Sequence, residues 1–179
     1  MEEKLHSKTI FEGKVIKVTH DEVRLPDGNT ALREVVLHRG GVGILAIEDG
    51  CILLVKQYRY PNHMDTLEIP AGKLEEGENP DEACFREFEE ETNRRATDMK
   101  LIFKALPTPG YCSEMLYIYE AQHFKEVSDS LDQDDDEFID IIKMPLEEAY
   151  QKVLSLDIVD AKTIMAIQYA YMKKEAVTK

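Results

Sequence analysis

The chain has 179 residues and a formal net charge of −14, from 22 basic and 36 acidic side chains. Hydrophobic residues make up 43% and charged residues 32%, the balance of an ordinary globular protein. The acidic excess argues against a nucleic-acid-binding surface, which needs a concentrated basic patch. It leaves room for a phosphate-containing small molecule if metal cations stand between the carboxylates and the phosphates.

In chain order, Ile10 to Leu25 mostly alternates apolar and polar residues and predicts a strand. Pro26-Asp27-Gly28-Asn29 is a turn, and Leu32 to His38 predicts the returning strand of a hairpin. Val42 to Ile47 and Cys51 to Gln57 predict a second hairpin around Glu48-Asp49-Gly50, with both strands buried on both faces. Asn79 then suits a helix N-cap, Pro80 the first helical position and Glu82 the third, so a helix is expected from Pro80 to Thr92. Asn93 fits the left-handed position that ends it. Strands are expected over Leu101–Leu106, Met115–Phe124 and Phe138–Met144. Helices are expected from Pro145 to Ser155 and from Asp160 to Lys174. Strands on both sides of a central helix, with a helix at the end, indicate a mixed α/β (α+β) sandwich rather than an alternating βαβ array. Residues 1–39 form a small antiparallel β appendage in this reading, and residues 40–179 the main domain.

Residues 1–7 read MEEKLHS, with no charged-then-apolar pattern, so no secretory leader is expected. No apolar run approaches the roughly 20 residues that span a bilayer. Cys51, Cys84 and Cys112 are far apart, and the five histidines show no metal-ligand spacing. A reducing cytoplasm with free thiols and no membrane partner is the expectation.

The helix over 80–92 is unusual in its charge. Glu87, Glu90 and Glu91 stand at i, i+3 and i+4 and share a face. Like charges at that spacing destabilise a helix by a few tenths of a kcal/mol each. A solvated acidic face is one explanation. The other is a site for a hard cation such as Mg²⁺, which takes carboxylate oxygens.

Gly72, then Glu78 after five residues, then Arg86-Glu87-Phe88 after seven, then Glu90-Glu91, is similar to the Nudix box, GX5EX7REUXEEXGU. The departures are Phe88 at an aliphatic position, Asn93 where the box has Gly, and Arg94 where it has an apolar residue. Flanking segments extend the resemblance to the ADP-ribose pyrophosphatase group: Gln57-Tyr58-Arg59, Glu68-Ile69-Pro70-Ala71-Gly72, and Thr108-Pro109-Gly110 with Glu114. Leu131 to Phe138 resembles that group's acidic catalytic loop.

The resemblance implies a Nudix-type α/β/α sandwich with a mixed sheet. It implies Mg²⁺-dependent hydrolysis of ADP-ribose to AMP and ribose 5-phosphate, with Mn²⁺ as a substitute cation. The metal ligands it implies are the Ala71 carbonyl, Glu87 and Glu91, with Glu90 close by. Gly72, Glu78 and Arg86 would hold the box together, Arg86 by orienting carboxylates and Glu78 by tying the loop to the helix. Glu137 is the chosen base or extra ligand, with Asp135 and Asp136 as neighbours that stay open. Arg59 would contact the diphosphate. Arg33, Glu34, Glu114 and Gly110 would reach the rest of the substrate, the first two across a homodimer in which the appendage exchanges. Phe11 is a candidate for adenine stacking or a core aromatic. Tyr58, Tyr111, Tyr117 and Tyr119 read as packing residues. The rival substrate is another nucleoside-diphosphate sugar such as GDP-mannose; the rival of another class is a non-catalytic nucleotide-binding Nudix module.

Overall fold

The computed structural model describes residues 1–131 and 139–177. Its contacts gather into two units: 1–40 together with 105–115, and 41–104 together with 116–179. The segment 105–115, placed by sequence with the residues from 40 onward, groups instead with the N-terminal strands.

The first unit is an antiparallel sheet in the order β1-β2-β3, with β1 at Glu3–Glu12, β2 at Lys17–Arg24 and β3 at Thr30–Leu37. The single strand expected over Ile10–Leu25 is broken in two, because Gly13 donates its N–H to the Ile16 carbonyl (2.9 Å) in a turn. The turn after β2 forms where Pro26–Asn29 predicts it. Gly28 takes φ 89°, a conformation that glycine reaches at no steric cost, and Asp27 Oδ1 accepts the Asn29 N–H at 3.0 Å. β2 buries alternate residues, Thr19, Asp21 and Val23, whereas β1 is exposed along its whole length. The 105–115 segment docks on β3: Val36 donates to the Tyr111 carbonyl (2.8 Å) and Ser113 donates to the Val36 carbonyl (2.9 Å).

The second unit contains β4 (Gly41–Leu45), β5 (Ile47–Glu48), β6 (Cys51–Arg59), β7 (Met64–Glu68), β8 (Ala71–Lys73), α1 (Pro80–Thr92), β9 (Arg94–Ala105), β10 (Leu116–Glu126), β11 (Asp140–Pro145), α2 (Leu146–Leu154) and α3 (Ala161–Val177). One sheet runs β8-β4-β10-β9 and is mixed, since β4 is parallel to β10 and antiparallel to β8. The other runs β11-β6-β5, with β7 also paired to β6. The expected second hairpin is therefore only partly formed. Ile47–Glu48 pairs with β6, but Gly41–Leu45 leaves for the other sheet.

Strand periodicity explains the layering. Val42 and Ile44 of β4 and Leu53 of β6 join a core with Ala83, Cys84 and Phe88 of α1. Leu45, Ile52 and Leu54 point the other way, into a core with Ala149 and Val153 of α2 and Ala166 and Ile167 of α3. Helices thus cover both faces, giving the α/β/α sandwich. Phe88, the aromatic at an aliphatic box position, is fully buried and meets the Phe124 ring edge-on at 5.3 Å. Its burial contributes about 2–3 kcal/mol. Pro145 ends β11 and is the residue before α2 rather than its first helical residue.

Candidate active site

The site is organised by α1 and the strap 68–73 in front of it. Asn79 caps the helix, its side-chain oxygen accepting the Asp81 N–H at 3.0 Å, and Asn93 ends it at φ 54°. These ends fix the helical phase, and the phase places Glu87, Glu90 and Glu91 on one face.

Arg86 is the hub of that face. Its Nε and Nη2 donate to Glu78 Oε1 (2.9 Å) and Oε2 (3.0 Å), a two-toothed fork. Its Nη1 donates to Glu90 Oε2 at 2.8 Å and lies 3.0 Å from Glu87 Oε1. Glu78 Oε2 also accepts the Glu75 N–H at 2.9 Å, which ties the 74–79 loop to the helix.

The strap meets the same face. Ala71 donates its N–H to Glu91 Oε2 at 2.8 Å, and Glu91 is only 1% exposed. A Cβ on Gly72 would overlap the Glu87 carboxylate where it stands, so any larger residue there would push that side chain aside. The close approach gives a steric reason for the glycine that opens the box.

The donor chemistry fits a hard divalent cation. Glu78, Glu87, Glu90 and Glu91 set four carboxylates against the single guanidinium of Arg86. Among the described residues no three Asp, Glu, His or Cys side chains converge as a ready-made cage. Arg86 stands between Glu87 and Glu90 instead.

Arg59 closes the strap from the β6 end. Its Nε and Nη2 donate to Glu68 Oε1 (2.6 Å) and Oε2 (2.7 Å), so the arginine read as a diphosphate contact is held by a carboxylate. Glu68 also accepts Thr66 Oγ1 at 2.7 Å and the Lys162 ammonium. Burial opposes its ionisation, but the Arg59 hydrogen bonds and the Lys162 charge outweigh it and pull Glu68 down to about 2. Glu68 raises the pKa of Arg59, with Asp160 and Glu91 adding at longer range.

Lys162, Thr163 and Asp160 escaped the sequence reading. Thr163 Oγ1 accepts the Ile69 N–H at 2.8 Å and donates to Asp160 Oδ2 at 2.6 Å. Asp160 Oδ2 also accepts the Thr163 N–H (3.0 Å), so it caps α3. A polar triplet at a helix start reads as a cap; nothing in its spacing points to Glu68.

The remaining candidates lie in the first unit. Arg33 is clasped by Glu2, with Nε at 3.1 Å and Nη2 at 2.5 Å from its two oxygens. Glu34 lines a cavity of about 400 Å³ with Ile10, Val18, His20, Val36 and Tyr111. Tyr111, read as a packing residue, is 56% exposed, and Tyr58 is 55% exposed. Phe11 is 54% exposed, so it is not a core aromatic. Gly110 lies in the turn before Tyr111, and Glu114 Oε1 stands 3.7 Å from His38 Nδ1. Glu137, with Asp135 and Asp136, lies outside the described residues.

A glycine-seated carboxylate, a helix face of glutamates and an α/β/α sandwich define a Nudix domain, and the chain belongs to the Nudix family, whose model matches residues 37–167. Residues 2–36 match the nucleoside diphosphate sugar hydrolase N-terminal domain. The chain is 40% identical over 176 residues to an ADP-ribose pyrophosphatase of Bacillus subtilis, covering 97% of this chain and 95% of that one. It is 38% identical over 174 residues to a methanol dehydrogenase activator of Bacillus methanolicus, covering 97% and 94%. A crystal structure of an ADP compounds hydrolase superposes with a TM-score of 0.83 at 23% identity, over 98% of this chain and 95% of that one, and shares its fold. The protein is a Nudix hydrolase, a class that uses divalent metal cations.

Proposed function

We propose that this Nudix hydrolase splits the diphosphate of ADP-ribose into AMP and ribose 5-phosphate. Water adds across the P–O–P bridge, one P–O bond breaks, and each product keeps one phosphate. The observation that carries the reading is the carboxylate face of α1, with Glu87 seated on Gly72 and Glu91 fastened to the Ala71 N–H. The B. subtilis relative named an ADP-ribose pyrophosphatase supports the choice of substrate.

Mg²⁺ is the assigned cation, with Mn²⁺ as a substitute. When bound, it screens the diphosphate oxygens and lowers the pKa of the attacking water. Glu87, Glu90, Glu91 and the Ala71 carbonyl would hold it. Arg86 orients Glu87 and Glu90 and stays off the substrate, while the Ala71 N–H orients Glu91. Arg59, fixed by Glu68, offers its remaining donors to the diphosphate. Glu137 is assigned the proton-accepting role on sequence alone.

The first unit is assigned the nucleoside side of the substrate. Its 400 Å³ cavity has mainly apolar walls and the polar groups of Thr19, His20, Glu34 and Tyr111, as small-molecule sites do. Phe11, Arg33, Gly110 and Glu114 are the further contacts proposed there, in a cytoplasmic homodimer whose appendages exchange. Among the described residues no helix is long and apolar enough to cross a membrane.

The test is side-by-side turnover of ADP-ribose and GDP-mannose with Mg²⁺ and with a chelator, following AMP or GMP release. ADP-ribose should be preferred at least tenfold in kcat/KM, and the chelator should abolish release. Preference for GDP-mannose would transfer the reading to that sugar nucleotide. No cation-dependent turnover of any nucleotide sugar would leave a binding module.

A further inference from the structure

We infer that Lys162, at the start of α3, is a positioning residue for Arg59, an inference that rests on the reading of Arg59 as a diphosphate contact. The Glu68 carboxylate is only 3% exposed. Each of its oxygens accepts two donors. Oε1 takes Arg59 Nε (2.6 Å) and Thr66 Oγ1 (2.7 Å); Oε2 takes Arg59 Nη2 (2.7 Å) and Lys162 Nζ. Arg59 therefore meets a carboxylate whose plane and position are already set from behind, by Thr66 on one oxygen and Lys162 on the other.

That arrangement does two things to Arg59. It fixes the guanidinium plane through Nε and Nη2, while none of the hydrogen bonds among the described residues uses Nη1. The arginine side chain is 40% exposed, and Nη1 is the donor left for an anion. It also sets the charge. Lys162 Nζ lies 3.1 Å from Asp160 Oδ2, and its ammonium offsets part of the negative charge that Glu68, Asp160 and, at longer range, Glu91 set around Arg59. Without the ammonium, the negative charge around the guanidinium rises by one and opposes an incoming diphosphate more strongly.

Lys162 is itself only 9% exposed, and Thr163 beside it holds the Ile69 N–H of the strap. A cation in that position stabilises the fold whether or not it aims Arg59. The discriminating quantities are thus KM against kcat and the coupling to Arg59, which a merely structural lysine would not link.

The experiment is a double-mutant cycle on ADP-ribose at saturating Mg²⁺, with Arg59→Ala, Lys162→Met and the double variant, and with Lys162→Arg as the conservative replacement. Arg59→Ala should raise KM about thirtyfold. Lys162→Met should raise KM about tenfold with kcat within threefold of the parent, and the double variant should be no worse than Arg59→Ala alone. Lys162→Arg should return KM to within threefold. If Arg59→Ala raises KM but Lys162→Met leaves it unchanged, or multiplies with it in full, the inference fails and the Arg59 reading stands. If Arg59→Ala leaves KM unchanged, the Arg59 reading fails and takes the inference with it. Should Lys162→Met not fold, Thr66→Val loosens the other Glu68 oxygen at nearly constant volume. Its KM should rise about threefold, and the rise should vanish in the Arg59→Ala background; a KM unchanged by Thr66→Val overturns the inference.

Discussion

Two arginine forks in the second unit are made of the same parts and backed by different ones. Arg86 grips Glu78 across a loop, and the carboxylate is steadied by the Glu75 N–H three residues away. Arg59 grips Glu68 across a hairpin, but that carboxylate is steadied both by Thr66 two residues away and by Lys162, 94 residues later in the chain. Glu78 is 15% exposed and Glu68 is 3% exposed. The first fork is assembled inside one loop and helix, next to water. The second gains one of its anchors only when α3 docks, and its carboxylate is the drier of the two, although Arg59 itself is 40% exposed. A carboxylate beside an arginine can thus be a local brace or the end of a long-range network, and the residue behind the carboxylate decides which.

The local fork is tested most severely at Glu91. Glu91→Gln keeps an amide oxygen for the Ala71 N–H and removes one negative charge from the face that Arg86 organises. Turnover should fall at least a hundredfold at saturating Mg²⁺, with the thermal midpoint within a few degrees of the parent. Near-parental turnover would show that the glutamate face is a solvated surface and that the Arg86 fork only braces the loop.

That local side was the legible one. Asn79, Pro80 and Asn93 mark the ends of α1, and box spacing puts Glu87, Glu90 and Glu91 on one face, because helix geometry converts sequence distance into position. The Pro26–Asn29 turn is legible for the same reason: its chemistry is contained in four residues. Legibility stops where a neighbour is distant. Val42 to Ile47 is apolar throughout, so no alternation shows that the chain changes sheets at Ala46. Ile10 to Leu25 alternates well enough to hide the turn at Gly13–Ile16, where one backbone hydrogen bond ends β1. Lys162 reads as an ordinary polar residue on an amphipathic helix. Its partner is fixed by packing of α3 on the strap, which periodicity does not encode.

The second prediction sharpens the contrast through acid stability. Glu68 ionises at about 2 in the folded chain and at 4.5 as a free side chain. Its ionised form is favoured by folding, so the stabilisation is complete above pH 4.5 and is lost as pH falls from there toward 2. Glu68→Gln should destabilise the protein by about 3 kcal/mol at pH 7, on the conversion of roughly 1.4 kcal/mol per unit. The difference between variant and parent should shrink steadily below pH 4.5. Urea midpoints at pH 7 and pH 3 check this. Glu78 is also lowered, chiefly by the Arg86 hydrogen bonds, but it lies closer to water, and Glu78→Gln should show a smaller change over the same range. Equal behaviour of the two variants would erase the distinction between the forks.

The smallest expected effect concerns a third arginine, which braces neither fork. Arg94 stands where the box has an apolar residue, and the structure accommodates it by burial with partners: Nη1 donates to the Thr92 carbonyl at 3.0 Å and Nη2 to Glu126 Oε1 at 2.8 Å. Its Nε is buried with no hydrogen-bond partner among the described residues, which offsets part of what those bonds contribute. Replacement by methionine keeps the length and apolar stem and deletes the unsatisfied donor. Glu126 is 76% exposed and regains water, while Glu48 keeps Lys143 at 2.9 Å. Only the Thr92 carbonyl loses a donor. Replacing a buried ionic group by an apolar one of similar volume is often neutral or stabilising. Arg94→Met should therefore shift the thermal midpoint by no more than about 3 °C in either direction, a change of roughly 1 kcal/mol for a chain of this size. Its kcat and KM should match the parent, because no bond from Arg94 reaches the strap or the glutamate face. A large loss of turnover in this variant would mean that the end of α1 communicates with its carboxylate face, and the separation of the local fork from its surroundings would have to be given up.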